Sequence, residues 1–279
     1  MIDLIPIDDA DDPRIEAYRQ VRERDLIGRD GGFVIEGEVV LRAFAAAGRY
    51  GLSSVLLAQK RVDKLAPILA ALPPGAAPTP VYVAPQAVLD QIVGFHIHRG
   101  ILALGRRGEP LDAEALLASQ APRSLIVALF GIGNHDNMGA IFRNAAAFGA
   151  GAVLLDPTCC DPLYRKAIRV SVGAALTVPF AYLPRGGDPI ALLRRHGFEA
   201  LAFSPAGACR LDEVERTDRM ALLLGAEGPG LSDDVLGRAR TVAIPMAGVL
   251  DSLNVGTSCG IALHHLAFSA APSPTRPKR

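Results

Sequence analysis

Short, largely apolar segments recur along this chain, each separated from the next by a stretch of helical spacing. In the second half they fall at 125–130, 152–155, 177–180, 199–203, 221–224 and 241–244. A strand that is apolar on both faces must be covered on both faces, as in a parallel sheet flanked by helices. Helices are expected between most of these strands, at 113–119, 140–148, 162–171, 189–196 and 232–239, with a last one from Asn254 to about Ala270. Alternation of this kind predicts an α/β protein with a parallel sheet.

The first half alternates too. An amphipathic helix is expected over 14–29, a strand at Phe33–Gly37 and a helix over 38–47. A strand at 54–58, a helix over 64–72, a proline-rich loop at 73–80, a strand at 81–83, a helix at 87–93 and a strand at 101–104 follow. Gly105-Arg-Arg-Gly-Glu-Pro110 then breaks every pattern, which places a boundary there. The expected organisation is a small α/β domain over 1–108, a linker and helix over 109–121, a larger α/β domain over 122–270 and a disordered basic tail over 271–279.

Charge excludes some modes of action. The 29 basic residues balance 29 acidic ones, so neither a polybasic arm nor an acidic tail is the main device. A local basic patch stays open on a neutral chain. The longest apolar run, Leu125 to Ile132, falls far short of the roughly 18 residues that span a bilayer. The first residues lack the basic-then-apolar order of a signal peptide. Cys159, Cys160, Cys209 and Cys259 form no C-x-x-C pair, hence neither a disulfide framework nor a zinc site. The expectation is a soluble cytoplasmic protein with no metal.

Two glycine-rich turns follow strands of the second half. Gly131-Ile-Gly-Asn-His-Asp-Asn-Met-Gly139 lacks the third glycine of a dinucleotide fingerprint, since position 136 is Asp136. Gly225-Ala-Glu-Gly-Pro-Gly230 puts proline where a phosphate loop offers a backbone N–H. Neither is a phosphate cradle, and a nicotinamide oxidoreductase is set aside. What remains is a set of polar residues in or beside turns: Asn137, Arg143, Glu227, Ser252 and Asn254. Each alone has an ordinary role: Asn137 as a helix N-cap, Arg143 as a surface cation, Glu227 as an acid near a helix start, Ser252 as a cap of the last helix.

Together they form a resemblance. Asp136-Asn-Met-Gly-Ala-Ile-Phe-Arg-Asn-Ala-Ala-Ala-Phe-Gly149, Leu223-Leu-Gly-Ala-Glu-Gly-Pro-Gly-Leu231 and Ile244-Pro-Met-Ala-Gly-Val-Leu-Asp-Ser-Leu-Asn-Val-Gly256 resemble, in order, the three motifs of the SpoU (TrmH) RNA ribose methyltransferases of the SPOUT superfamily. One departure is Asn144, where threonine is common. More weakly, Phe33-Val-Ile-Glu-Gly37 and His98-Arg-Gly-Ile-Leu-Ala-Leu104 resemble the substrate-binding domain that precedes many such domains, itself similar to an RNA-binding ribosomal-protein fold.

The resemblance implies a deep trefoil knot, which periodicity could not show. It implies S-adenosylmethionine as cofactor, with Gly225, Ile244, Leu253 and, more weakly, Ser204 lining its site. It implies a homodimer and methyl transfer to an RNA ribose 2′-OH in ribosomal or transfer RNA, the extra N-terminal domain favouring ribosomal RNA, with neither DNA nor a membrane as partner. Arg143 stands where the family places the residue that meets the hydroxyl; a guanidinium binds phosphate and stabilises alkoxide charge more readily than it takes a proton. Asn137 and Asn254 would orient Arg143 or the ribose, Glu227 would hold its neighbours by hydrogen bonds, and Ser252 would support the third motif's turn. Arg165, Lys166 and Arg169 on one helix form the best local basic patch for RNA phosphates, with His98 and Arg99 as further contacts. The alternative is an inactive RNA-binding or ribosome-assembly relative, which has no chemical reason to keep all five polar residues.

Overall fold

The computed structural model describes residues 4–19, 31–72, 78–94, 99–248 and 250–268. His98, the latter part of the helix expected over 14–29, most of the proline-rich loop and the tail lie outside the described residues. The chain divides into two compact units, one of residues 1–109 with 163–177, the other of residues 110–162 with 178–279.

The first unit is built on strands β1 (Leu4–Pro6), β2 (Gly32–Glu36), β3 (Gly51–Ala58), β4 (Val81–Ala84) and β5 (Ile101–Arg106), with helices α1 (Glu38–Ala47), α2 (Val62–Ala70) and α3 (Gln86–Val93). The sheet order is β1-β4-β3-β5-β2. It is mixed, because β5 runs antiparallel to both β3 and β2. An apolar run such as Ile101–Leu104 carries burial but no direction, so the sequence could not show this reversal. Pro13–Tyr18 forms a 3-10 turn that buries Ile15 and Tyr18, and the Tyr18 and Ser54 hydroxyls share a buried 2.7 Å hydrogen bond.

After α4 (Ala113–Ala118), the second unit continues through β6 (Ser124–Phe130), α5 (His135–Ala147) and β7 (Ala152–Leu155). The next stretch holds α6 (Arg165–Val170) and α7 (Ala174–Thr177), which belong to the first unit. There Arg165 Nε meets Glu36 Oε2 at 3.0 Å. A Cβ on Gly173 would lie 2.7 Å from the Ala43 Cβ, so only glycine permits that approach to α1. The uninterrupted catalytic-type domain expected over 122–270 therefore lends 163–177 to the other core. The strand expected at 177–180 is shifted to β8 (Phe180–Tyr182), because Pro179 has no N–H to give a ladder.

The chain then runs through α8 (Pro189–Arg195), β9 (Glu199–Phe203), β10 (Cys209–Arg210), β11 (Arg219–Gly225), α9 (Asp233–Arg238), β12 (Arg240–Ala243) and α10 (Val255–Phe268). Its sheet has the order β10-β12-β9-β11-β6-β7-β8, and every pairing is parallel, as the doubly apolar strands require. Ile126, Ala128, Leu154, Leu193, Phe198 and Leu223 belong to the core. The helix expected in the linker is part of it, through Leu116 and Leu117. Parallel pairing puts the carboxyl ends of β6, β9, β11 and β12 at one edge, the usual ligand edge of an open α/β sheet.

Helices α5 and α10 close against each other over glycine. A Cβ on Gly256 would fall 2.9 Å from the Ala140 Cβ, and one on Gly260 would fall 3.0 Å from Asn144 Nδ2. The Asn144 amide donates to the Gly256 carbonyl at 2.7 Å, so the residue that departs from the family pattern locks this seam. Gly256→Ala is expected to cost about 1–3 kcal/mol by overpacking. A urea-denaturation double-mutant cycle with Ala140→Gly should give a coupling of about 1 kcal/mol; none would mean that the seam yields without strain.

Candidate active site

The site grows from loops at the carboxyl edge of the second sheet. After β11 the chain turns tightly: Ala226 and Gly230 form a bridge, and Gly228 and Gly230 take left-handed φ of 88° and 70°. A Cβ on Gly225 would lie 2.2 Å from the Gly230 carbonyl carbon, so no side chain fits there. Glu227 sits at the tip of this turn. Beside it, residues 244–254 lead from β12 to α10.

Asn254 joins the three motifs. Its Oδ1 accepts from the backbone N–H of Gly256 at 2.9 Å and of Thr257 at 3.2 Å, which caps α10. Its Nδ2 donates to Asn137 Oδ1 at 2.8 Å and to Glu227 Oε1 at 2.9 Å. The amide orientation is fixed by chemistry, since its oxygen faces donors and its nitrogen faces acceptors. Two ordinary roles are thereby corrected. Asn134, whose side chain accepts from the Asp136 N–H, caps α5, so Asn137 is not the cap but a buried residue inside the first turn. Asn254, not Ser252, caps α10.

Behind this bridge lies a cleft of about 490 Å³. Gly225, Ile244, Leu253 and Ser204 all line it, as do Glu227, Ser252 and Asn254. Leu224, Val242 and Met246 add an apolar wall that motif reading missed. Leu224 was signalled, being the last apolar side chain of a strand that ends at the ligand edge. Ser204 is held by its own backbone, which donates to the Val242 carbonyl at 3.0 Å. Apolar side chains together with Ser204, Glu227, Ser252 and Asn254 suit an adenosine-sized molecule with a polar tail.

The remaining expected residues lie elsewhere. Arg143 is exposed on α5, outside the cleft lining, and makes no hydrogen bond or ion pair with any described residue. Arg165 is held by Glu36 in an ion pair with both side chains mostly covered, which makes it a structural contact rather than part of an open patch. Lys166 is exposed on α6. Arg169 and Arg99 line a separate cleft in the first unit. Burial pushes the Cys159 and Cys259 thiols up to about 12 and Cys160 up to about 11, so none supplies a thiolate near neutral pH. Among the described residues no cluster of three or more His, Cys, Asp or Glu stands in a metal-holding arrangement, and no helix is long and apolar enough to cross a membrane.

Fold and site together define an α/β protein with a ligand cleft at the carboxyl edge of its parallel sheet. Residues 124–264 match the SpoU rRNA Methylase family. The chain belongs to that family and is an RNA methyltransferase of it. It is 37% identical over 273 residues to an uncharacterized tRNA/rRNA methyltransferase of Mycobacterium bovis, covering 94% of this chain and 91% of the relative. A second mycobacterial relative, an uncharacterized tRNA/rRNA methyltransferase of Mycobacterium leprae, is 32% identical over 186 residues, 66% of this chain and 60% of the relative. Among solved structures, an RNA 2′-O ribose methyltransferase superposes with a TM-score of 0.76 at 26% identity, covering 94% of this chain and 98% of that one. The AdoMet-bound rRNA methyltransferase of Sinorhizobium meliloti shares the fold, with a TM-score of 0.75 at 23% identity over 94% of this chain and 97% of that one.

Asn254 has two separable duties, and substitution can divide them. Asn254→Ser keeps a capping oxygen, whereas Asn254→Ala loses it and should destabilise the protein by about 1 kcal/mol. Both lose the bridge, so both should lose methyl transfer. Thermal melts beside a methylation assay check this; an active Asn254→Ser would mean that the cap alone matters.

Proposed function

We propose that this protein transfers a methyl group from S-adenosylmethionine to the ribose 2′-OH of an RNA, ribosomal rather than transfer. The observation that carries the reading is the Asn254 side chain, which ties Asn137 and Glu227 together at a cleft shaped by Gly225, Ile244 and Leu253. Bound there, S-adenosylmethionine supplies a methyl group already activated on a sulfonium. The protein's contribution is therefore position and charge rather than activation of the donor. Main-chain groups of the Gly225, Ile244 and Leu253 loops hold the cofactor, and Ser204 borders it. The apolar wall of Leu224 and Val242 keeps water from the reacting centre. Glu227 and Asn137 fix Asn254, and Ser252 supports the turn before it.

Arg143 carries the charge. Its guanidinium has no partner among the described residues, so it is ready to bind a phosphate and to stabilise a developing alkoxide. Its place outside the cleft lining supports a homodimer, in which the Arg143 of one protomer completes the site of the other. Phe148, just after α5, groups with His264 and the well-exposed Phe268 of α10 in an aromatic cluster that fits such a contact. A trefoil knot in the second unit, a reaction without metal and a cytoplasmic location belong to the same reading. Arg99, Lys166 and Arg169 would meet the RNA from the first unit.

The test uses purified protein, methyl-labelled S-adenosylmethionine and total RNA from a strain lacking the gene. Label is expected in a 2′-O-methyl nucleoside of ribosomal RNA. Arg143→Ala should lower the rate by about 10²–10³-fold while cofactor affinity stays within several-fold. Label on a base would overturn the acceptor; label in transfer RNA would overturn the substrate. Equal loss of rate and cofactor affinity would make Arg143 structural.

A further inference from the structure

The first unit holds a second cleft, of about 270 Å³, that no motif singles out as a whole. Arg61, Lys64, Arg99 and Arg169 line it, with Glu38 as its one carboxylate. Glu38 is already neutralised, by Lys64 Nζ at 2.9 Å and an Arg42 guanidinium nitrogen at 3.0 Å. Arg61, Arg99 and Arg169 have no hydrogen bond or ion pair with any described residue. On a chain with 29 basic and 29 acidic residues, three uncompensated guanidiniums around one cleft are a local charge excess. Arg99 is also packed in place: its Cδ would stand 2.6 Å from a Cβ on Gly37, so it lies flat over that glycine.

The apolar part of the cleft is equally unusual. Val39 and Val172, both exposed, stand among the cations. Val172 has a φ of 55°, the only non-glycine in the left-handed region among the described residues. It follows α6, where the Val172 N–H donates to the Arg169 carbonyl and the Gly173 N–H to the Ile168 carbonyl, a helix ending that normally takes glycine or asparagine. A β-branched side chain there is strained and buries nothing in the unit's own core, and strain of this kind gathers at ligand sites.

We propose that this cleft binds one unpaired nucleotide of the RNA substrate, its phosphates on Arg61, Arg99 and Arg169 and its base against Val39 and Val172. This rests on the RNA-methyltransferase reading. Guanidinium forks match phosphate oxygens, and an apolar ledge between cations suits a base rather than a carboxylate side chain. Unpaired nucleotides are the ones whose bases are free to lie on protein. The site is composite in sequence, since Arg169 and Val172 come from the segment that the catalytic half lends to the first unit.

The experiment uses the full chain, a fluorescein-labelled single-stranded RNA of about 12 nucleotides and total RNA from the gene-deleted strain. The double variant Arg61→Ala/Arg169→Ala should bind the labelled RNA about tenfold or more weakly. Its slope of log affinity against log salt should shrink by about 1.4, at roughly 0.7 per lost contact. KM for total RNA should rise while kcat and cofactor affinity hold, which also shows that the variant is folded. Arg169→Lys should keep the salt slope, and Val39→Asp should weaken binding with every cation in place. Unchanged affinity and slope in the double variant would overturn the proposal. So would polyglutamate displacing the RNA as well as unlabelled RNA does. A wild-type protein that binds RNA through these residues but never transfers label would sink the methyltransferase reading and leave this site standing.

Discussion

One primary amide holds the site of this protein together. The Asn254 side chain spends its oxygen on the first N–H groups of α10 and both amide hydrogens on acceptors from the first turn of α5 and the turn after β11. No other side chain could do this. Aspartate would cap the helix but put an acceptor against Asn137 Oδ1 and the Glu227 carboxylate; glutamine would reach too far to cap. The order of α10, the position of Glu227 and the burial of Asn137 are thus one condition. A buried polar group is costly when unpaired, so losing any partner penalises the remaining ones.

Close approach of backbone is the second condition, and glycine meets it twice. At Gly225 the absent side chain lets the turn after β11 fold back on itself, which leaves main-chain groups rather than side chains facing the cleft. At Gly256 and Gly260 it lets α10 settle onto α5, which brings Asn254 within reach of Asn137. A site made this way needs few distinctive side chains. That explains why the cleft shows itself in sequence through small residues and prolines rather than through a cluster of charges.

The central strands of the second unit were legible because β6, β7, β9 and β11 are largely apolar on both faces and pair in parallel. The first sheet was legible in its elements but not in its direction, since β5 reads the same either way. β1 and β10, three and two residues long, are too short to carry periodicity. The cleft residues Gly225, Ile244 and Leu253 were legible through family resemblance, and the structure assembles them with Glu227, Ser252 and Asn254. Two things were out of reach. Which asparagine caps which helix depends on exact helix starts, and α5 begins five residues before its apolar spacing does. The ion pair that withdraws Arg165 joins residues 129 apart, a contact that only the packing of 163–177 on the first unit creates.

The neutral balance of the chain then takes on a physical sense. A protein that must meet RNA, yet select within it, gains little from a uniformly positive surface, because charge alone binds every phosphate backbone alike. Here several cations are answered by nearby acids: Arg14 by Asp12, Arg210 by Asp212, Arg238 by Asp188 and Asp234, Arg240 by Glu199. Arg143, Arg61, Arg99 and Arg169 are left without such partners among the described residues. Neutralising cations in this way lowers indiscriminate attraction and strengthens by contrast the field where open guanidiniums stand together, so that position rather than total charge decides what binds.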